Sequence, residues 1–293
     1  MKKVSVIIPT YNRADFLKIT LDSVLRQTYP SIEVIVVDDG SPNNDTELLC
    51  KQYKNINYFK IENSGGPMVP RNYGFKKSTG HYIAFLDDDD VWLPTKIEEQ
   101  VNILENNPDY GLVHSYCQVI DAHGNPTGDI VGKPGTLDVK HGDVSKKMIG
   151  NWTLMTATPL IRRSVIEEVG LFNTTMPPAG EDVEFWTRCS FFTMFYYVDK
   201  PLALYRIHNH NISKRTEAYI NLPLYLKKII NTKIIRNKLS NSEYNKLLQN
   251  VCLSQAKHIK SNGLKTLYNL CVLNPFWMIN FRILKVILKK TIT

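Results

Sequence analysis

No pair of cysteines in this 293-residue chain has the C-x-x-C spacing, and the five that occur, Cys50, Cys117, Cys189, Cys252 and Cys271, are odd in number and scattered. A reduced, cytosolic compartment is the simplest reading of that usage. No apolar run approaches the length that crosses a bilayer. The run behind the basic start MKKVSVIIPTYN is too short for a signal peptide and ends in a polar turn. The sequence therefore predicts a cytoplasmic protein, soluble or held peripherally on the inner face of the cell membrane. Three N-x-[ST] triplets, beginning at Asn151, Asn173 and Asn211, do not change this, because such triplets arise by chance. A G-x-x-x-x-G-K-[ST] loop is missing, which argues against a Walker-type nucleotidase; G-x-G-x-x-G is missing too, which argues against a standard dinucleotide-binding enzyme. Repeats and low-complexity tracts are absent, and the hydrophobic (43%) and charged (22%) fractions are those of a globular chain.

Acidic residues are scarce at one end. From Lys214 onward there are fifteen Lys or Arg against two acids, Glu217 and Glu243, so the preceding residues are net acidic although the whole chain carries +8. The length suits one large α/β domain with an appendage. The charge boundary divides it into residues 1–213 and a basic, mainly helical extension over 214–293, and the two parts are expected to face different partners.

What is present is a series of short β-branched runs bounded by turn residues: VSVIIP (4–9), EVIVVDD (33–39), INYFKI (56–61) and YIAFLDD (82–88). Between the first two, Leu17, Leu21, Val24 and Leu25 share a helical face. Before the fourth, PRNYGFKKSTG fits a short helix closed by Gly80. The alternation predicts an α/β fold with a Rossmann-like, mainly parallel central sheet flanked by helices. In such sheets ligands bind beyond the carboxyl ends of the strands. PTYN, DDGS and DDDD stand at three of those ends. Each alone reads as a solvated turn; three at one edge read as a site.

Four consecutive carboxylates, Asp87 to Asp90, repel one another and call for a cationic partner. Strand-end carboxylates are hard oxygen ligands that suit Mg²⁺ or Mn²⁺ bridging to a diphosphate. An EF-hand is excluded, because Val91 and Trp92 stand where a ligand and the loop glycine belong.

VSVIIPTYNR, QTYPSIEVIVVDDGS, RNYGFKKSTGHYIAFLDDDDVWLPTKI, GEDVEFWTR and LYRIHNHNIS, in that order, resemble the successive motifs of the inverting glycosyltransferase family 2, with the GT-A fold, across residues 1–213. The resemblance implies a catalytic domain that moves a sugar from a nucleotide sugar, most simply a UDP-sugar, to a saccharide acceptor. Pro9, Thr10 and Tyr11 would frame the base, Asp39 would accept from the uracil or ribose, and Arg71 would lie near the base and phosphates. Asp87 would open the D-x-D element, Asp88 would face the ribose and donor sugar, and Asp89 would bind Mn²⁺ or Mg²⁺, with the register open by one residue. Trp92 and Pro94 match the family's W-x-P continuation. Glu181 and Asp182 match its E-D pair, the latter acid as general base. His208 or His210, with Arg206, would touch the diphosphate or metal; each His also reads as a surface loop residue. The acceptor implied is a bacterial surface polysaccharide, such as a capsule or O-antigen repeat, carried in some systems on a lipid. Trp152 and Met155 read as core or as acceptor-pocket residues.

Two other classes fit parts of the pattern. IAFLDDDDV satisfies the D-x-D-x-[TV] signature of haloacid-dehalogenase-like phosphatases, with Asp87 as nucleophile and Asp89 as acid/base, but GEDVEF does not supply their later acidic motif. A catalytically silent domain of the same fold would not need intact acids at Asp39, Asp87, Asp89 and Asp182. The basic extension reads either as a helical cap on the catalytic domain or as an attachment to anionic membrane through PFWMINFRILKVILKKTIT. No recognition motif for nucleic acid accompanies its charge.

Overall fold

A computed structural model describes residues 1–177, 179–209, 211 and 216–292. His210 lies outside the described residues. Residues 4–85 alternate strictly: β1 (Val4–Thr10), α1 (Ala14–Leu25), β2 (Ile32–Asp38), α2 (Asp45–Cys50), β3 (Ile56–Lys60), α3 (Met68–Lys77) and β4 (Tyr82–Phe85). Then follow β5 (Val91–Trp92), α4 (Lys96–Asn106), β6 (Tyr110–Ile120), β7 (Pro126–Val131), α5 (Ser145–Met148), β8 (Leu160–Arg162), α6 (Arg163–Val169), α7 (Glu181–Ser190) and β9 (Met194–Arg206). Five helices close the chain: α8 (Leu222–Asn231), α9 (Lys233–Asn237), α10 (Asn241–Ala256), α11 (Gly263–Leu273) and α12 (Phe281–Ile292).

One sheet runs β3-β2-β1-β4-β8-β6-β9-β5, with β7 pairing the later part of β6, past β8 and opposite β9. The β3-β2-β1-β4 part is parallel, as the alternation predicts. Beyond β4 the sheet is mixed: β8 and β5 pair antiparallel to their neighbours while β6 and β9 run parallel. The pairing directions of the short strands β5 and β8 are set by the neighbours they meet and by no pattern within their own residues.

Alternation along β1 sets up two layers of core. Val4, Val6 and Ile8 face a cluster with Leu17, Leu21 and Val24 of α1 and Ile97 and Val101 of α4. Ile7, with Ile83 and Phe85 of β4, faces the opposite cluster under Val165, Ile166, Phe185 and Trp186 of α6 and α7. A third cluster, built around Leu226, Ile230, Val251 and Leu270, belongs to the closing helices and takes in Ile149 and Phe191 from the body. Lys238 Nζ donates to the Phe191 carbonyl at 2.9 Å, and Lys146 pairs with Glu243, so those helices sit on the α5–α7 side.

Two helix readings need correction. α3 spans Met68–Lys77 and ends at extended Ser78, so Gly80 does not close it. Gly80 instead donates its N–H to Ser5 Oγ at 2.8 Å, in a place where a Cβ would collide with Ser5. In α1, Leu25 is exposed and Thr20 is buried in the predicted apolar face, because the Thr20 hydroxyl donates to the carbonyls of Asp88 and Asp90.

Candidate functional site

β1 outruns β4. Ile7 is the last β1 residue paired to β4, whereas the β2 ladder continues to Thr10. The Ile7 carbonyl faces β4 and the Thr10 carbonyl faces β2, so Pro9 points its nitrogen toward β4 just where no ladder donor is needed. Strand order reverses at β1, since β2 lies on one side and β4 on the other. Such a switch point opens a crevice at the carboxyl ends. A cavity of about 420 Å³ occupies it, lined by the ends of β1, β2 and β4, the start of α7 and the 153–156 loop.

Pro9, Thr10, Tyr11, Asp39, Arg71, Asp87, Asp88, Asp89, Glu181 and Asp182 all line this cavity. Tyr11 stands at the rim, 47% exposed. Asp38 and Asp39 part company at the end of β2. Asp38 is turned inward to accept from Ser41 N–H and the Tyr58 hydroxyl, and Asp39 is anchored by Ser64 N–H (3.0 Å) and Oγ (2.7 Å). Gly40 follows at φ +79°, with the Asn63 backbone 2.7 Å from where a Cβ would stand, so DDG needs its glycine.

The four acids are sorted by their partners. Asp87 accepts from Arg71 Nη2 at 2.6 Å, and Arg71 Nη1 donates to Glu181 at 2.9 Å. One buried guanidinium thus joins both acidic motifs, stacked on Phe172 at 5.2 Å. Asp88 accepts from Thr10 Oγ1 (2.8 Å) and Arg13 (3.2 Å). Asp89 Oδ2 meets Arg13 Nη1 at 2.9 Å and His208 Nε2 at 2.8 Å. Asp90 accepts the backbone N–H of Arg206 at 3.0 Å. Burial and the neighbouring Asp89 push the Asp88 carboxyl up to about 7 against the pull of Arg13, and burial first, then Asp89, pushes Asp90 well above the carboxylate range.

Arg206 departs from expectation. Its side chain is buried, its guanidinium donates to the carbonyls of Asp89 (2.9 Å), Asp121 and Ala122 (3.3 Å each), and it stacks on Phe16. It braces the acidic turn from beneath. Arg13, by contrast, was given no role by the sequence, although it faces two acids of the cleft; a loop cation 75 residues from its partners leaves no local signal.

Across the cleft, Gly180 at φ +84° starts α7 and sets Glu181 and Asp182 in its first turn. A Cβ there would press on Leu222 and Tyr219 at 3.3 Å, so the closing helices touch the site at this point. Glu181 is held by Arg71, whereas Asp182 lies open to the cavity with Oδ2 3.3 Å from Thr156 Oγ1 and Oδ1 accepting Val183 N–H at 2.7 Å. Loss of hydration, then the charge of Glu181, raises the Asp182 carboxyl to about 7 in spite of Arg71. Met155 lines the cavity wall, while Trp152 packs partly against the core beneath α7. Tyr205 and Asn211, which stand within LYRIHNHNIS but take no role from that motif, also line it, as does Tyr219, which no motif announces.

Arg71 carries a stability prediction. Arg71→Ala leaves Asp87 and Glu181 without their shared cation, which costs about 3–5 kcal/mol. Thermal unfolding of the purified variant at neutral pH should show a clear loss; an unchanged melting temperature would mean that the bridge contributes nothing to the fold.

Residues 5–170 match the family described as glycosyl transferase family 2. The chain belongs to that family. An uncharacterized glycosyltransferase of Rickettsia bellii is 35% identical over 235 residues, 76% of this chain and 32% of that protein. One from Rickettsia prowazekii is 31% identical over 277 residues, 92% of this chain and 83% of that protein. The chain spans about a third of the length of several Rickettsia relatives. Among solved structures, TarS of S. aureus in complex with UDP-GlcNAc superposes with a TM-score of 0.69 at 20% identity, covering 89% of this chain and 75% of that one. A mannosyltransferase of Pyrobaculum calidifontis, in complex with GDP-Man and Mn²⁺, gives 0.61 at 18%, covering 99% and 87%. These likenesses establish the GT-A fold, and family membership displaces the phosphatase reading of Asp87–Val91.

Among the described residues no three His, Cys, Asp or Glu side chains converge as a ready-made metal cage. Asp89 and His208 nevertheless present a carboxylate and an imidazole 2.8 Å apart beside the cleft. Such an O,N pair suits Mn²⁺ or Mg²⁺ when substrate oxygens and water supply the remaining positions.

Proposed function

We propose that this family 2 protein transfers a sugar from a nucleoside diphosphate sugar to a saccharide hydroxyl, with inversion at the anomeric carbon and Asp182 as general base. The observation that carries this reading is the division of labour at α7: Glu181 is tied to Arg71, and Asp182 faces the cavity with a raised carboxyl. A sugar hydroxyl is a weak nucleophile, so a positioned base must remove its proton as it attacks. Thr156 and Val183 fix the orientation of that base.

The donor is a UDP-sugar in our reading. Thr10, Tyr11 and Asp39 receive the nucleoside at the ends of β1 and β2, and Tyr11 offers an exposed ring for the base. Asp87 and Asp88 face the ribose and donor sugar, with Arg71 beneath. Asp89 with His208 would hold Mn²⁺ or Mg²⁺, which when bound neutralises charge on the leaving diphosphate. Support comes from the UDP-GlcNAc in TarS and the GDP-Man and Mn²⁺ in the mannosyltransferase. The acceptor we infer is a saccharide of a cell-surface polysaccharide such as capsule or O-antigen, lipid-linked where synthesis occurs at the membrane. Residues 1–213 form the catalytic unit and residues 214–293 its extension.

The test is release of UDP from a panel of UDP-sugars with and without Mn²⁺ and saccharide acceptors. Transfer should depend on the metal and follow the ionisation of Asp182. Because burial raises that pKa and only the ionised form accepts a proton, kcat/KM should climb through about pH 7, falling about tenfold per unit below it. A profile flat down to pH 5 would remove Asp182 from the role.

A further inference from the structure

We propose that α11, the turn that follows it and α12 form a docking face for an anionic lipid surface. Leu264, Tyr268, Phe276, Met278, Ile279 and Phe281 are each 60–87% exposed within eighteen residues, whereas exposed large apolar side chains elsewhere among the described residues are scattered between Met1 and Ile234 and at Leu288. Leu264 and Tyr268 stand one turn apart on α11, opposite the Thr266, Leu270 and Leu273 stripe that meets the closing-helix core. α12 buries Ile283 in the same core and turns Phe281, Arg282 and Lys285 outward.

Charge decides the occupant. No Asp or Glu occurs between Tyr244 and Thr293, while Lys257, Lys260, Lys265, Arg282, Lys285 and Lys290 are exposed there. A second copy of this chain would bring like charge against like, which opposes pairing through this face. Anionic headgroups meet the cations, and the aromatic and aliphatic tips enter the headgroup–acyl boundary. Among the described residues no helix is long and apolar enough to cross a membrane, so the contact lies along the surface. This inference does not depend on the reading of the catalytic cleft.

Sedimentation of the full chain with vesicles tests it, using phosphatidylcholine alone or with about 30% phosphatidylglycerol, at about 0.05 and 0.5 M salt. Binding is expected to the anionic vesicles only and to weaken at high salt. The triple variant Phe276→Gln/Ile279→Gln/Phe281→Gln should lower binding at least about tenfold. Arg282→Gln/Lys285→Gln/Lys290→Gln should lower it about a hundredfold. All six positions are exposed, so both variants should melt as the wild type does. Binding to neither vesicle, or equally to both, overturns the proposal. So does a salt-insensitive dimer in analytical ultracentrifugation that the apolar variant abolishes, because the face would then join two copies.

Discussion

Asp182→Asn should lower kcat by about 10²–10⁴-fold, the usual contribution of a general base, while UDP binding stays within about twofold. Asparagine keeps the shape and the acceptor oxygen for Val183 N–H or Thr156 Oγ1, so the cavity wall should hold its form. What disappears is the carboxylate proposed to take the proton. The same change should stabilise the fold. The folded-state pKa of Asp182 is raised, so its ionisation costs stability increasingly as pH rises from about 4 to about 7, and the cost is constant above that. Asparagine removes the cost, so the variant should melt at or above the wild-type temperature at pH 8. Glu181→Gln should behave in the opposite sense, losing stability because it weakens one arm of the Arg71 bridge. Wild-type transfer by Asp182→Asn, measured as UDP release under saturating donor, would end its assignment as the base.

The contrast between these neighbours shows what a sequence conveys and what it leaves out. The E-D pair and its place at a helix start are legible, because acids after Gly at the head of an amphipathic run have a local cause. Which acid is open to the cavity depends on Arg71, 110 residues away, and no periodicity encodes that. The same holds at the end of β4. A run of four acids after a buried strand marks a strand end; the assignment of Asp90 to the Arg206 backbone is fixed only by where β9 passes. DDG after β2 reads as a turn, but that Asp38 faces Tyr58 and Asp39 faces Ser64 follows from the way the loop folds back. The parallel half of the sheet could be read because β1, β2 and β4 are buried apolar runs, while β3, read the same way, turns out to be a half-exposed edge strand. The pairing of the mixed half could not, because an apolar run does not say which neighbour it meets or in which direction. Tyr219 is the extreme case: it reaches the cleft only because the closing helices pack against α7 beside Gly180.

Asp89→Ala should erase the effect of Mn²⁺ on UDP binding and lower kcat/KM by about 10³-fold, in keeping with the several kcal/mol that a divalent ion contributes to a developing phosphate charge. Geometry makes the substitution informative. Asp89 Oδ2 is the oxygen that meets both Arg13 and His208, so alanine removes the carboxylate of the O,N pair and leaves Asp88 anchored to Thr10 and Arg13. The part of the cleft proposed to receive the nucleoside, at Tyr11 and Asp39, is untouched. Calorimetry with Mn²⁺ and with a chelator should therefore give two different affinities for the wild type and a single weak one for Asp89→Ala. If Mn²⁺ still tightens UDP binding to the variant, the ion is held by a different acid of the run, and Asp87 or Asp88 is next to be replaced. If Mn²⁺ has no effect on the wild type, Arg13 and Arg71 become the charges that receive the diphosphate. Their alanine variants would then carry the loss in kcat/KM expected here for Asp89.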